Sequence, residues 1–308
     1  MSDDPLVGRA VASSPTPGAA EAGIADVAPV RPLRKDVWKR FRRNKLAMVG
    51  LFIILVLVVA AVFAPLIAPY EITERVRDDR SLGPNATHYF GTDRIGQDVF
   101  SKVVYGARLS LKVGILAVTL SLVIGVLLGA IAGFFGGFID TVIMRITDMF
   151  LAIPYIILAV AIATIFGRGE NSVIIVLGST GWLAIARIVR SSFLGLKQQE
   201  YVEAATSLGF SKRRIMFRHI LPNALQPIIV YGTIAVGTVV LSEAALSFLG
   251  VGVQAPDTSW GLMINEGRRD ITNSPHLLYF PGGAIFVTVL AFVFVGDGLR
   301  DALDPKLK

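Results

Sequence analysis

The sequence contains no cysteine, and only 17% of its 308 residues are charged. The first absence excludes disulfides and thiolate chemistry, although it fixes no compartment. The second stands against 53% hydrophobic residues and a mean hydropathy of +0.63. That balance excludes an ordinary soluble domain and leaves room for several membrane spans. Histidine is scarce: His88, His219 and His276 lie far apart, so no metal-ligand spacing forms. No G-x-x-x-x-G-K-[ST] loop is present to cradle a phosphate, which closes that route to ATP. Intramembrane proteolysis is also set aside. There is no H-E-x-x-H, His276 falls in an expected loop, and Gly296-Asp297 has Phe294 where the aspartyl type would show glycine.

What is present is basic and apolar. The net charge of +7 would suit nucleic acid, but basic residues flanking spans are what the positive-inside rule requires, so no nucleic acid partner is expected. Residues 1–30 are rich in Pro, Gly, Ala and Ser and read as a disordered tail. They lack a basic start followed by an apolar run and are not a signal peptide. Residues 31–45, "RPLRKDVWKRFRRNK", hold eight Lys or Arg against one Asp. Placed before an apolar run, they read as a cytoplasmic juxtamembrane segment touching anionic headgroups.

Six apolar runs follow, each near the roughly twenty residues that cross a bilayer: Leu46–Ala68, Leu109–Phe134, Ile139–Phe166, Val173–Val189, Leu221–Gly250 and Leu277–Gly296. The expected architecture is therefore an all-α integral membrane protein of six transmembrane helices. Residues 46–68 form its first span, 69–108 an extracytoplasmic segment, and 109–304 a core of five spans. Alternation from the basic block puts both termini in the cytoplasm. The inside set then carries nine Lys/Arg before the first span, seven from Arg187 to Arg218 and three after the last. The orientation is consistent with that distribution.

Within the spans, Ser121, Gly125, Gly129 and Gly133 recur every four residues and form one stripe of small side chains. Such a stripe serves close helix packing within the chain or against a second subunit. Arg145 and Asp148 stand at i, i+3 and read as a mutually neutralising structural pair. Glu243 is a lone acid in an apolar span and is a candidate for the translocation path. Lying near the outer surface, it could also simply be wet.

One polar insertion interrupts the apolar pattern: "QEYVEAATSLGFSKRRIMFRHILPNALQPIIV", Gln199 to Val230. A short helix carrying Glu203, Ala204 and Ala205 ends at Gly209, a suitable C-terminal cap. Ser211 caps a second helix, "KRRIMFRHI", and Pro222 suits the first turn of the next span. Ala204 and Ala205 let another surface approach. Phe210, Ile215 and Phe217 offer apolar anchors, and Lys212, Arg213, Arg214 and Arg218 offer charge. A hairpin of this kind on the cytoplasmic side is a docking device for a protein partner.

The residues also carry a resemblance. Glu203-Ala204-Ala205, three residues, Gly209 and then Leu221-Pro222 resemble the EAA loop of permease subunits in binding-protein-dependent ABC importers, with His219 where an aliphatic residue is usual. "YFGTDRIGQDVFSKVVYGARLSL" (89–111) and "LSEAALSFLGVGVQAPDTSWGLMINEGR" (241–268) are similar to the C-type subunit of the dipeptide, oligopeptide and nickel branch, though Gln97 stands where Arg is frequent. The resemblance implies a type I importer fold in the bacterial cytoplasmic membrane. It implies pairing with a homologous second permease subunit, two cytoplasmic ATPase subunits that bind ATP and Mg, and an extracytoplasmic substrate-binding protein. The loop around 199–222 (Glu203, Ala204, Ala205, Gly209, Phe210, Arg213, Arg214, Ile215, Leu221 and Pro222) would dock on the ATPases. The chain itself would be no enzyme and hold no cofactor or metal. Peptides are the expected ligand, with nickel chelates or haem-like ligands in the same branch. The alternative is a secondary transporter driven by an ion gradient, for which Glu243 is the single candidate coupling charge.

Overall fold

The computed structural model describes residues 33–75 and 79–304, so the expected disordered tail 1–30 lies outside the described residues. Twelve helices follow in order: α1 (Leu33–Arg43), α2 (Lys45–Val62), α3 (Ala64–Ile67), α4 (Val99–Phe135), α5 (Gly137–Leu151), α6 (Tyr155–Phe166), α7 (Glu170–Lys197), α8 (Glu200–Ser207), α9 (Lys212–Arg214), α10 (Leu221–Phe248), α11 (Trp260–Gly267) and α12 (His276–Leu303). A π-helical turn, Ile215–Ile220, joins α9 to α10.

Among the described residues, five helical stretches have the length and composition to cross a membrane: α2, α4, α7, α9 through α10, and α12. The helices α5 and α6 pass the same test only together and are bent by 94° at their junction, giving up to six spans. The expected third span, Ile139–Phe166, is thus a broken one. Pro154 is the cause: it has no N–H to donate, and it disfavours helical backbone at Ile153 before it. The chain at Pro154 is extended, with ψ 127°.

Helix α4 begins ten residues before the expected span. Asp98 caps it, accepting from the Ser101 amide at 2.7 Å, so the polar stretch 99–108 is drawn into the helix. With 37 residues it is about 55 Å long, well beyond the roughly 30 Å hydrocarbon core. Its first turns therefore stand outside the bilayer, where a Lys and an Arg belong. His276, expected in a loop, opens α12 instead and is buried, with Nε2 3.3 Å from the Thr92 carbonyl.

The centre of the bundle is the pair α4–α7. Ser121 donates to the Gly178 carbonyl at 3.0 Å. A Cβ added at Gly125 would meet Ile185 Cβ at 2.7 Å, at Gly129 the Ala186 carbonyl at 2.5 Å, and at Gly133 Phe193 Cβ at 2.7 Å. The glycine stripe thus packs against α7 of the same chain. Between helices that lipid solvates as well as it solvates leucine, backbone approach of this kind is a main source of association. Helix α2 sits at the edge on α12 and leaves Phe52, Leu55 and Val62 exposed, as a helix facing acyl chains does.

Candidate functional site

The polar insertion is a hairpin packed on the end of α7. Val202 and Ala205 of α8 bury their side chains with Phe193 of α7, Ile215 and Met216 of the π turn, and Ile220. A complete αL turn ends α8: Gly209 N–H donates to the Thr206 carbonyl at 3.0 Å and Phe210 N–H to the Ala205 carbonyl at 3.1 Å. The second bond needs φ of +77° at Gly209, which glycine takes without strain. Ser211 then accepts from the Arg214 amide at 3.4 Å and caps α9.

From Lys212 to Phe248 the helical path is continuous, so the expected separate second helix is the first part of the fifth span. The Pro222 ring would clash with the carbonyl four residues back in a regular helix. The π turn before it opens the spiral, and Leu221 N–H reaches Met216 O, five residues back.

Burial divides the residues expected to dock a partner. Ala205 and Ile215 are each only 4% exposed within the chain, so they fasten the hairpin and cannot meet a partner as it stands. Arg214 lies with its guanidinium carbon 4.1 Å from the Phe210 ring centroid, and the His219 ring stacks on Phe210 with centroids 5.8 Å apart. Phe210 is thereby held half-buried by a guanidinium and an imidazole ring. Glu203, Ala204, Arg213 and Pro222 are exposed, Leu221 is partly covered, and Leu208 and Phe217 add bare apolar surface. Leu208, 74% exposed, is the barest apolar side chain of the hairpin, and a lone leucine between polar Ser207 and the capping Gly209 is the signal that could have singled it out.

Two further charge expectations change. Arg145 and Asp148 do not neutralise each other: Asp148 pairs with Arg187 of α7 at 2.6 Å, and Asp140 takes the Arg190 guanidinium on both oxygens. Helix α5 lies across α7 closely enough for the α7 arginines to reach its acids. Glu243 is fully buried and is held by Ser247 Oγ at 2.7 Å and Ser110 Oγ at 3.2 Å. The backbone of Trp260, which opens α11, also donates to Ser110 Oγ, at 3.5 Å. Glu243 thus ties α4 to α10, and it is not among the residues that line the cavity at the α5–α6 break.

That cavity, of ≈ 220 Å³, lies where the α5–α6 break meets α4, α7 and α10. Tyr155, Thr180, Tyr231, Thr238 and Ser242 supply its hydroxyls among apolar neighbours. Sequence reasoning missed these residues; Pro154 in an apolar run was the available signal of a discontinuous helix. It also missed Lys102, which is buried and bonded to Glu266 Oε2 at 2.8 Å, Asp93 Oδ2 at 3.0 Å and Gln97 Oε1 at 3.1 Å. This knot ties α4 to α11 and to the loop before it.

A helical bundle with a broken span, a cavity beside the break and a polar hairpin at one end fits a transport permease. Residues 125–308 match the binding-protein-dependent transport system inner membrane component family, and the chain belongs to that family. Residues 32–84 match the N-terminal transmembrane domain of oligopeptide transport permease C, in agreement with the C-type resemblance of the sequence. The dipeptide transport system permease protein DppC of Alkalihalophilus pseudofirmus is 46% identical, over 89% of this chain and 90% of that protein. The glutathione transport system permease protein GsiD of Shigella flexneri is 48% identical, over 91% and 92%. In fold the chain is similar to the inward-facing MetNI methionine ABC transporter, with a TM-score of 0.56 and 22% identity over 66% of this chain and 97% of that one. The protein is thus a multi-pass transmembrane permease subunit of an ABC importer with the type I fold.

Proposed function

We propose that this permease moves di- or oligopeptides across the bacterial cytoplasmic membrane, with energy from partner ATPases that dock on the hairpin 199–222. The exposed face of that hairpin supports the docking role above any other feature. Glu203, Ala204, Leu208, Arg213 and Phe217 form a mixed apolar and charged surface, on a backbone fixed by buried Val202, Ala205 and Ile215. A protruding element anchored this firmly can transmit a push to α7 and α10 without folding away. The hairpin, α1 and both termini then lie on the cytoplasmic side. A homologous second permease subunit completes the membrane part, an extracytoplasmic binding protein delivers the ligand, and ATP and Mg belong to the ATPases. The chain performs no hydrolysis of its own. Peptide as the ligand follows the names of its dipeptide and glutathione relatives. An ion-gradient mechanism finds little support, because Glu243, its single candidate charge, is already bonded to serines.

The natural absence of cysteine makes the test direct. In the assembled complex, a Leu208→Cys chain should crosslink to an ATPase subunit through a short bifunctional reagent, while Val123→Cys, on an exposed face of α4, should not. An intact complex in which Leu208→Cys crosslinks to no ATPase would overturn the docking assignment.

A further inference from the structure

We propose that the cavity at the α5–α6 break is this chain's wall of the ligand path, and that it meets peptides through neutral hydroxyls that exchange hydrogen bonds with the peptide backbone. The proposal rests on the peptide reading given above for its ligand, but its location is argued independently.

Location comes first. The wall is built from Thr180–Ile185 of α7 and from Tyr231–Ser242 of α10. Both lie in the middle turns of spanning helices, so the cavity is at membrane depth. At that depth the chain turns through 94°, with Ala152, Ile153 and Pro154 all exposed. The first amides of α6 precede its first helical bond, Leu158 N–H to Pro154 O at 3.1 Å, and Pro154 offers no side-chain cap. Hydrocarbon cannot satisfy such groups. Irregular backbone at membrane depth is tolerated where it lines a water-filled cavity or is buried in protein. Phe150, Leu151, Ile153 and Tyr155 of the break are themselves cavity walls, so the break lies where a water-filled path would satisfy its amides.

Chemistry comes second. The Thr180 hydroxyl donates to the Val176 carbonyl at 2.8 Å and the Ser242 hydroxyl to the Thr238 carbonyl at 2.9 Å. Their protons are committed, so each presents lone pairs to the cavity, and the single Tyr155 proton can be given to one of them at a time. Tyr231 stands on the same wall. A set of hydroxyls that donate and accept can replace water around amide N–H and C=O groups in turn. No Asp, Glu, Lys, Arg or His is among the lining residues, so a ligand's side-chain charge finds no partner to hold it. At roughly 30 Å³ per water the volume holds on the order of seven waters, the bulk of a short peptide segment. A site of this type passes peptides with little regard to side-chain charge and releases them readily.

The test uses the complete transporter in membrane vesicles, with Thr238→Cys and Ser242→Cys made singly in the naturally cysteine-free chain and Phe52→Cys as the lipid-facing control. A membrane-impermeant methanethiosulfonate reagent is applied with and without ATP plus vanadate. Uptake of radiolabelled alanyl-alanine is then compared with each variant's own unmodified rate. Both cavity cysteines should react, at rates that differ about tenfold between the two nucleotide conditions as the path opens and closes. Their modification should remove most uptake, and Phe52→Cys should be inert. If both cavity cysteines stay unreactive in either condition while Phe138→Cys, 82% exposed at the start of α5, reacts, the cavity is sealed from water and the proposal fails. If they react and their modification leaves uptake intact, it fails equally. Should the cysteines react with nucleotide dependence while the wild-type complex takes up no peptide, the path stands and the peptide assignment falls. Charge indifference has its own check: lysyl-alanine and glutamyl-alanine should compete with alanyl-alanine within about threefold once the binding protein is saturated, and exclusion of one charge sign would contradict the neutral-hydroxyl account.

Discussion

The amide of Phe210 reaches back over Gly209 to the carbonyl of Ala205, 3.1 Å away, and closes the first helix of the hairpin on itself. Three consecutive features depend on that closure. Ala205 stays buried, Phe210 is delivered to its position against Arg214 and His219, and Leu208 is pushed outward.

Gly209→Asp removes the residue that permits the closure. A side chain at φ of +77° costs about 1 kcal/mol or somewhat more, and open space around the site leaves room for the new atoms. The variant should therefore insert and reach the membrane in normal amount, yet lose transport through misplacement of Leu208 and Phe210. Pull-down of the ATPase subunits at matched permease levels should fall several-fold. Glu203→Ala, on the exposed face, should lie in the same class but be milder. Wild-type recovery in both variants would show that the hairpin has no part in docking.

Substitution in the glycine stripe acts on a different step. At Gly129 even one added Cβ would sit 2.5 Å from the Ala186 carbonyl, so Gly129→Ala must separate α4 and α7 slightly. Overpacking of this order costs about 1–3 kcal/mol, and Gly129→Leu considerably more. Thermal stability of the purified complex should fall for alanine and assembly should fail for leucine. Normal yield of the leucine variant would contradict the packing described.

The sequence revealed composition-driven features better than geometric ones. The apolar runs, the glycine stripe, the cap at Gly209 and the position of the hairpin follow from periodicity and local chemistry, and each reappears in the fold. The break at Pro154 was missed because an apolar run of adequate total length conceals a bend. The partner of Asp148 was missed because Arg187 is 39 residues away, whereas Arg145 is a close sequence neighbour. Ile215 and Ala205 look alike in sequence to Phe217 and Ala204. Only the direction of α8 and the π turn separates those that hold the hairpin from those that face outward.

Glu243 offers a clean distinction between fastening and ion coupling. Glu243→Gln keeps a side chain able to bond Ser110 and Ser247, so uptake should remain within about twofold of wild type. Glu243→Ala leaves the buried hydroxyls unpaired at a cost of about 1–3 kcal/mol and should lower stability. Abolition of uptake by Glu243→Gln with the complex still folded would point to a charge-coupled role instead.

Lys102 is a comparable fastener on the opposite end of the bundle from the hairpin. Lys102→Met would remove the ammonium that bonds both Asp93 and Glu266. Because Glu266 is 45% exposed, solvent moderates the loss to about 1–2 kcal/mol. Proteolysis of the 251–275 loop should speed up, and Lys102→Arg should restore much of the protection. Unchanged proteolysis in Lys102→Met would show that Lys102 does not hold α11 to α4.

The central claim is that the chain is a passive, ATP-coupled path. The most direct measurement is uptake of labelled alanyl-alanine into proteoliposomes that contain this chain, its second permease subunit and its ATPases, with the binding protein on the ligand side. Uptake should require ATP on the hairpin side, be insensitive to collapse of proton and sodium gradients, and vanish when the ATPases are omitted. Uptake by this chain without ATPases, driven by an imposed proton or sodium gradient, would contradict it.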